Sequence, residues 1–204
     1  MIDQIFESLG SFTLLDWIGL WSGIIYVILA AKENPLCWVF GIIQCGIFAY
    51  SDFTFLNLYA DGWLQLFYVA MGFWGLYLWF SAKEKSAEKI KLANWKFHLI
   101  IIPVLLLVSY FLTPYYSQFY PDANYPIIDT ASTFFSIFAT FLLVKKYLSN
   151  WIYWIVIDIV YVFLYFKTGA ALFALLYLIF TIVSIYGFIN WRLERLKEIK
   201  NESN

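Results

Sequence analysis

The sequence predicts an all-α integral membrane protein, in which seven transmembrane helices form two parallel three-helix repeats joined by a linker helix. Three observations predict this class: the composition, the lengths of the apolar segments, and the distribution of lysine and arginine. Of the 204 residues, 63% are hydrophobic and 13% are charged, and the mean hydropathy is +0.73. A soluble domain has about 25% charged residues. The shortage of charge therefore excludes an ordinary soluble domain and indicates a surface that faces lipid.

The apolar segments have the lengths that a membrane requires, because a hydrocarbon core about 30 Å thick needs roughly 17 to 25 residues per helix. Seven segments qualify, and the second and sixth are short. They are Leu14–Ala31, Cys37–Phe53, Leu58–Phe80, Phe97–Thr113, Pro126–Val144, Trp151–Phe166 and Gly169–Trp191.

The basic residues test this count, because lysine and arginine in short loops collect on the cytoplasmic side of a membrane. With seven spans, only Lys167 of the 13 basic residues lies on one side. The other side receives Lys32, Lys83, Lys85, Lys89, Lys91, Lys96, Lys145, Lys146, Arg192, Arg195, Lys197 and Lys200. This separation predicts an N-terminus outside the cell and a C-terminus in the cytoplasm.

The segments around the spans complete the predicted organisation. Residues 1–13 carry apolar side chains at helical spacing and predict an amphipathic helix on the membrane surface. Residues 14–82 form the first repeat, and residues 83–125 contain a basic loop, the linker helix and an outer loop. Residues 126–191 form the second repeat, and residues 192–204 form a basic cytoplasmic tail.

Two pairs of motifs predict the repeats. Asn34 to Trp38 and Asn150 to Trp154 have the same spacing from Asn to Trp at the start of the second and sixth helices. The third helix ends with Gly75, three residues and Trp79, and the seventh ends with Gly187, three residues and Trp191. We expect Trp38 to match Trp154 and Gly75 to match Gly187. Chance similarity between apolar helices is the alternative. Parallel repeats in a transporter place the substrate between the two halves.

The strongest candidate site lies on the sixth helix. Trp151, Trp154 and Asp158 are spaced by three and four residues, so their side chains share one helix face. A carboxylate inside the hydrocarbon is costly and usually faces a cavity, a cation or a substrate. Trp154 is expected to stack on a flat ligand, whereas Trp151 either joins it or anchors the helix at the interface.

Other polar residues complete the candidate substrate site. Gln65, like Gln44, either binds ligand or holds helices together. Asn57 and Tyr59 lie at the outer start of the third helix and could line an entrance, and Asn190 could hold ligand at the cytoplasmic end.

The sequence contains no motif for a metal site, a catalytic nucleophile or nucleotide hydrolysis. His98 is the single histidine, and Asp158 is the one residue that is both charged and deep in a span. We therefore predict no catalytic residues, no metal, no cofactor and no nucleic-acid partner. The alternatives from another class are an intramembrane enzyme and a scaffold without a substrate.

The chain resembles the Pnu vitamin transporters over nearly its whole length. The resemblance rests on Asn34–Gly41, Leu58–Trp79 and Lys145–Asp158. The family signature W-x-x-W-x-x-x-N/D falls on the tryptophan and aspartate residues of the sixth helix described above.

The resemblance implies a three-plus-one-plus-three fold related to the SWEET sugar transporters, assembled as a homotrimer in the bacterial inner membrane. It implies facilitated diffusion of a small vitamin, which a cytoplasmic kinase then traps by phosphorylation. The family transports nicotinamide riboside, thiamine or a flavin.

Two departures from the family pattern leave the substrate open. Leu76 stands where riboside carriers have Trp, and Asp158 stands where many members have Asn. Nicotinamide riboside and thiamine each present a flat cationic ring, which suits an aromatic cage beside a carboxylate. The frequency of riboside carriers in the family favours nicotinamide riboside, and thiamine is the alternative.

Overall fold

The computed structural model describes residues 10, 12–56, 59–84, 89–121, 125–169 and 171–202. This part of the chain is helical, as predicted, and it contains no β-strand beyond one isolated bridge between Lys91 and Tyr147. The elements are α1 (Leu14–Ala31), α2 (Cys37–Ser51), a π-helical segment (Asp52–Leu56), α3 (Tyr59–Glu84), α4 (Trp95–Phe119), α5 (Pro126–Val144), α6 (Asn150–Lys167) and α7 (Ala171–Glu202).

Six of these helices are long and apolar enough to cross a membrane, so the chain is a multi-pass membrane protein. The remaining helix is α2, which corresponds to the predicted second span. It has 15 residues, and its backbone continues as the five-residue π-helical segment. The predicted amphipathic helix falls mainly on residues outside the described part of the chain.

Local sequence explains where several helices begin. Thr13 caps α1, because its hydroxyl accepts a hydrogen bond from the Asp16 amide while the Asp16 carboxylate accepts one from the Thr13 amide. Asn94 caps α4 through the amide of Lys96. Pro126 occupies the first position of α5, where a missing N–H removes no intrahelical bond.

The last helix, α7, extends beyond the predicted seventh span. Helix α7 continues through Glu202, so the described part of the predicted tail at residues 192–204 is helical. Lys197 pairs with Glu194 at 2.7 Å and Arg195 pairs with Glu198 at 3.1 Å. Such pairs three residues apart support a helix that extends into water.

The helices form two groups of three, α1–α3 and α5–α7. Within each group the middle helix packs against the other two. The groups meet through α1 with α7 and through α3 with α5, and α4 packs against α5. Each group therefore uses its first and third helices to contact the other group.

The end of the bundle where α1 and α5 finish is here called the lysine-rich end, and tryptophan residues hold it together. Trp79 donates its indole N–H to the carbonyl of Val144 at 3.1 Å, and Trp191 donates to the carbonyl of Ala30 at 3.1 Å. The third helix of each group is thus bonded to the end of the first helix of the other group.

The turns that follow α1 and α5 join the groups again. Glu33 and Lys146 both have positive φ values, 52° and 55°, and their side chains form an ion pair at 3.1 Å. The loop before α4 pairs with the second turn, because the Lys91 amide donates to the Lys146 carbonyl at 2.8 Å. Next to it, Ile90 is 1% exposed and packs among the tryptophans. These contacts therefore join the two groups at the lysine-rich end.

Contacts between tryptophan and glycine correct the predicted register of the repeats. A Cβ atom at Gly75 would lie 2.4 Å from Cε2 of Trp38, and one at Gly187 would lie 2.7 Å from Cε2 of Trp151. Trp151, and not Trp154, therefore makes the contact that corresponds to that of Trp38. The equal spacing from Asn to Trp was misleading, because Asn150 begins α6 whereas α2 begins at Cys37, three residues after the corresponding asparagine.

Candidate functional site

A cavity of about 320 Å³ lies between the two groups of helices. Its polar lining comes from Gln44, Gln65, Thr133, Ser136, Thr140, Asp158 and Ser184. Its aromatic lining comes from Tyr26, Trp38, Phe48, Tyr68, Trp151, Trp154, Tyr161, Tyr177 and Phe180. Because α1, α2, α3, α5, α6 and α7 all contribute, the cavity depends on how the two groups are packed against each other.

Four residues predicted from the sequence meet in this cavity, namely Trp151, Trp154, Asp158 and Gln65. The two tryptophans differ in burial. Trp151 is 1% exposed and its ring lies 5.5 Å from that of Trp191 in an edge-on arrangement. Trp151 is therefore a core residue that touches the cavity, and not an anchor at the membrane interface. Trp154 is half-buried, so its ring keeps surface for a ligand.

Asp158 is the one acidic residue in the cavity lining. It is 3% exposed and accepts a hydrogen bond from the Ser184 hydroxyl to its Oδ2 atom at 3.2 Å. Within the described part of the chain, its Oδ1 atom has no hydrogen-bond donor. A buried carboxylate with one free oxygen is suited to a cationic or hydrogen-bonding ligand.

Two glutamine side chains line the cavity from the other group of helices. Gln44 on α2 lies against α1, and a Cβ atom at Gly23 would come within 2.6 Å of its Nε2 atom. The absence of a side chain at Gly23 therefore makes room for the Gln44 amide. Gln65 on α3 is the second amide in the cavity. Amides donate and accept, so this side of the cavity suits neutral polar groups.

Three other predicted residues are not brought into this cavity by the described structure. Asn190 lies at the lysine-rich end, where its amide donates to the Ala31 carbonyl at 3.0 Å. That bond holds α7 against α1. Tyr59 belongs to α3, but its side chain lies outside the described residues, as does the whole of Asn57. Ligand binding by these three residues stays a prediction.

The structure adds a tyrosine pair that the sequence reasoning missed. The rings of Tyr161 and Tyr177 lie 4.8 Å apart and both line the cavity. Tyr161 follows Asp158 by three residues, so it continues the helix face that carries Trp154. The sequence alone could therefore have predicted that Tyr161 lies beside the candidate site. Aromatic faces on both sides of the carboxylate can hold a flat cation.

Among the described residues, no group of three His, Cys, Asp or Glu side chains lies close enough to hold a metal ion. His98 lies away from the cavity and forms a 2.8 Å hydrogen bond between its Nδ1 atom and the Tyr153 hydroxyl.

The known proteins that are similar to this chain are named as transporters. A family model described as nicotinamide mononucleotide transporter matches residues 13–193. The nicotinamide riboside transporter PnuC of Escherichia coli K12 is 25% identical over 207 residues, which cover 87% of this chain and 85% of that protein. The PnuC of Neisseria mucosa is 27% identical and covers 83% of this chain and 68% of that protein.

A solved structure has a similar fold. It is described as the crystal structure of the vitamin B3 transporter PnuC, and it matches this chain with a TM-score of 0.65 and 27% sequence identity. The match covers 90% of this chain and 82% of the other.

Proposed function

Because this chain belongs to the nicotinamide mononucleotide transporter family, whose model matches residues 13–193, we propose that it transports nicotinamide riboside across the membrane. Members of this family and the relatives described above are transporters, so the chain is a vitamin transporter and not an enzyme. The observation that supports the substrate is the cavity in which Trp154 and the Asp158 carboxylate lie together.

The cavity has the size and chemistry that this substrate needs. Its volume of about 320 Å³ falls within the range of roughly 300 to 1,000 Å³ that is usual for small-molecule sites. The cationic pyridinium ring can stack on aromatic side chains, a contact that contributes about 2 kcal/mol when water is excluded. The carboxylate of Asp158 offsets the positive charge, and the amides of Gln44 and Gln65 suit the hydroxyl groups of a ribose.

Thiamine is the second candidate substrate. It also presents a flat cationic ring, and Asp158 supplies an acidic group where many family members have a neutral asparagine. The relatives at 25% and 27% identity both carry the name of a nicotinamide riboside transporter, and this favours nicotinamide riboside.

Binding to the purified protein tests the substrate. We expect nicotinamide riboside to raise the thermal unfolding temperature in detergent, because a ligand at 100 times its dissociation constant stabilises by about 2.7 kcal/mol. We also expect saturable uptake by the protein in liposomes. Stabilisation by thiamine alone would select the second candidate. Absence of saturable uptake of either vitamin would support the scaffold alternative.

We also propose that the two groups of helices are parallel repeats, related by an axis along the membrane normal. The matched contacts of Trp38 with Gly75 and of Trp151 with Gly187 support this arrangement. If α2 and its π-helical extension form a seventh crossing, the basic residues place the C-terminus in the cytoplasm. A fluorescent protein fused after Asn204 should then be bright and alkaline phosphatase there inactive. Active phosphatase would overturn this topology.

The resemblance to Pnu transporters supports three further proposals. The protein forms a homotrimer in the bacterial inner membrane, each copy with its own pathway. Transport occurs by facilitated diffusion. A cytoplasmic kinase phosphorylates the vitamin and traps it inside the cell. Cross-linking in membranes tests the trimer, and uptake into liposomes without an ion gradient tests facilitated diffusion.

A further inference from the structure

The two groups of helices contribute different side chains at corresponding positions of the cavity. Asp158 follows Trp151 by seven residues, as Cys45 follows Trp38. Ser184 precedes Gly187 by three residues, and the corresponding residue before Gly75 is a glycine, Gly72. All four of these positions line the cavity. The α5–α7 side therefore presents an acid and a hydroxyl where the α1–α3 side presents a thiol and no side chain.

We propose that Ser184 is a positioning residue that holds the Asp158 carboxylate in place and thereby fixes the orientation of the bound vitamin. This inference rests on the proposed function. Ser184 is 1% exposed, and its hydroxyl lies 3.2 Å from Oδ2 of Asp158. It provides the one hydrogen bond that the described residues offer to this carboxylate. No spacing in the sequence marks Ser184, because the two residues are 26 positions apart on different helices.

The hydrogen bond acts on the ligand through the carboxylate. With Oδ2 held by Ser184, rotation of the carboxyl group is restricted and Oδ1 is left to face the cavity. A fixed acceptor loses less entropy when it meets a cation than one that rotates freely. The positive ring of the vitamin is thus directed to the α6–α7 side, and its hydroxylated part is directed to Gln44 and Gln65. The pair of Ser184 and Asp158 therefore selects a cation that carries a polar group at its other end, as a charged nucleoside does.

A purely structural role for Ser184 is the competing explanation, since the same bond also joins α6 to α7. The chain offers a matched control on the same helix. Thr181 is buried, lies outside the cavity lining, and donates its hydroxyl to the Tyr177 carbonyl at 2.8 Å. Thr181→Val therefore removes a buried hydroxyl from α7 without changing the cavity.

Calorimetric titration of the purified protein with two probes separates these explanations. One probe is nicotinamide riboside, and the other is its reduced dihydropyridine form, in which the ring is neutral. We expect Ser184→Ala to weaken binding of the cation about tenfold, because the carboxylate must then lose its rotational freedom when the ligand binds. Binding of the neutral form should change less than twofold. Thr181→Val should leave the affinity for both probes unchanged.

A double-mutant cycle with Asp158→Asn completes the test. If Ser184 acts through the carboxylate, Ser184→Ala should cause no further loss of affinity for the cation once Asp158 is neutral. The inference would be overturned if Ser184→Ala weakened the binding of both probes equally. It would also be overturned if the losses of affinity added in the double variant. Both outcomes would leave the proposed function intact. If the parent protein binds neither probe, the proposed substrate is wrong and this role for Ser184 is wrong with it.

Discussion

The α1–α3 and α5–α7 groups are alike at the lysine-rich end and unlike in the cavity. At the lysine-rich end, each group places a tryptophan over a glycine of its third helix, and each donates an indole N–H to the first helix of the other group. In the cavity, one group supplies Cys45 and the other supplies Asp158. The shared contacts hold the two groups together, whereas the differences give the cavity an acidic side and a neutral side.

One pair of residues, in the turns that follow α1 and α5, shows how a difference between the two groups joins them. Glu33 and Lys146 occupy matching turns with nearly equal positive φ values. Identical charges would repel there, but a glutamate and a lysine form an ion pair at 3.1 Å. The difference in charge between the two turns therefore helps to hold the two groups together.

The largest effect that we expect comes from removing the matched tryptophans. Trp38→Ala and Trp151→Ala should each lower the free energy of unfolding by about 3 to 5 kcal/mol, the usual result of truncating a buried Trp, because both rings are 2% exposed or less. Thermal unfolding in detergent measures this. Trp154→Ala is the matched control, and it should leave stability nearly unchanged but weaken vitamin binding more than tenfold. If Trp154→Ala unfolds the protein as Trp151→Ala does, the distinction between the two tryptophans is wrong.

The glycines beneath the tryptophans should give the next largest effect. Gly75→Ala and Gly187→Ala place a methyl group 2.4 Å and 2.7 Å from an indole ring, and such overpacking costs about 1 to 3 kcal/mol. We expect both variants to unfold at lower temperature than the parent. Gly46→Ala on α2 is the control, because nothing lies within 4 Å of its added methyl group. A normal unfolding temperature for only one of the two variants would break the correspondence between the groups.

Charge reversal at the matched turns should have a smaller effect. The side chains of Lys146 and Glu33 are 9% and 21% exposed, which places the pair between exposed and fully buried ion pairs. Lys146→Glu and Glu33→Lys should therefore each destabilise by about 2 kcal/mol. The double variant, which exchanges the two charges, should recover most of the loss of unfolding temperature. Additive losses in the double variant would show that the two charges do not interact.

The sequence predicted the ends of some helices better than the contacts between them. The predicted bounds of the first and fifth spans agree with α1 and α5, because each has a clear apolar run and α5 begins at a proline. Which tryptophan lies over Gly187 depends on how α6 packs against α7, and that packing is not encoded in the spacing from Asn to Trp. Ser184 was missed for a similar reason. Its role depends on a hydrogen bond to Asp158 on the neighbouring helix, and a single hydroxyl in an apolar helix does not reveal that partner.

The smallest effect that we predict concerns the charge that distinguishes the two sides of the cavity. At an effective dielectric near 20, two unit charges 4 Å apart attract by about 4 kcal/mol, but removing both from water offsets much of this gain. We therefore expect Asp158→Asn to weaken binding of a cationic vitamin about tenfold, which is about 1.4 kcal/mol. The fold should survive, because an amide oxygen can still accept the hydrogen bond from Ser184. Cys45→Ser changes the corresponding residue on the neutral side and should alter the affinity by less than twofold. Calorimetric titration of both variants gives the comparison directly, and equal affinities for the parent and Asp158→Asn would mean that the carboxylate does not face the ligand.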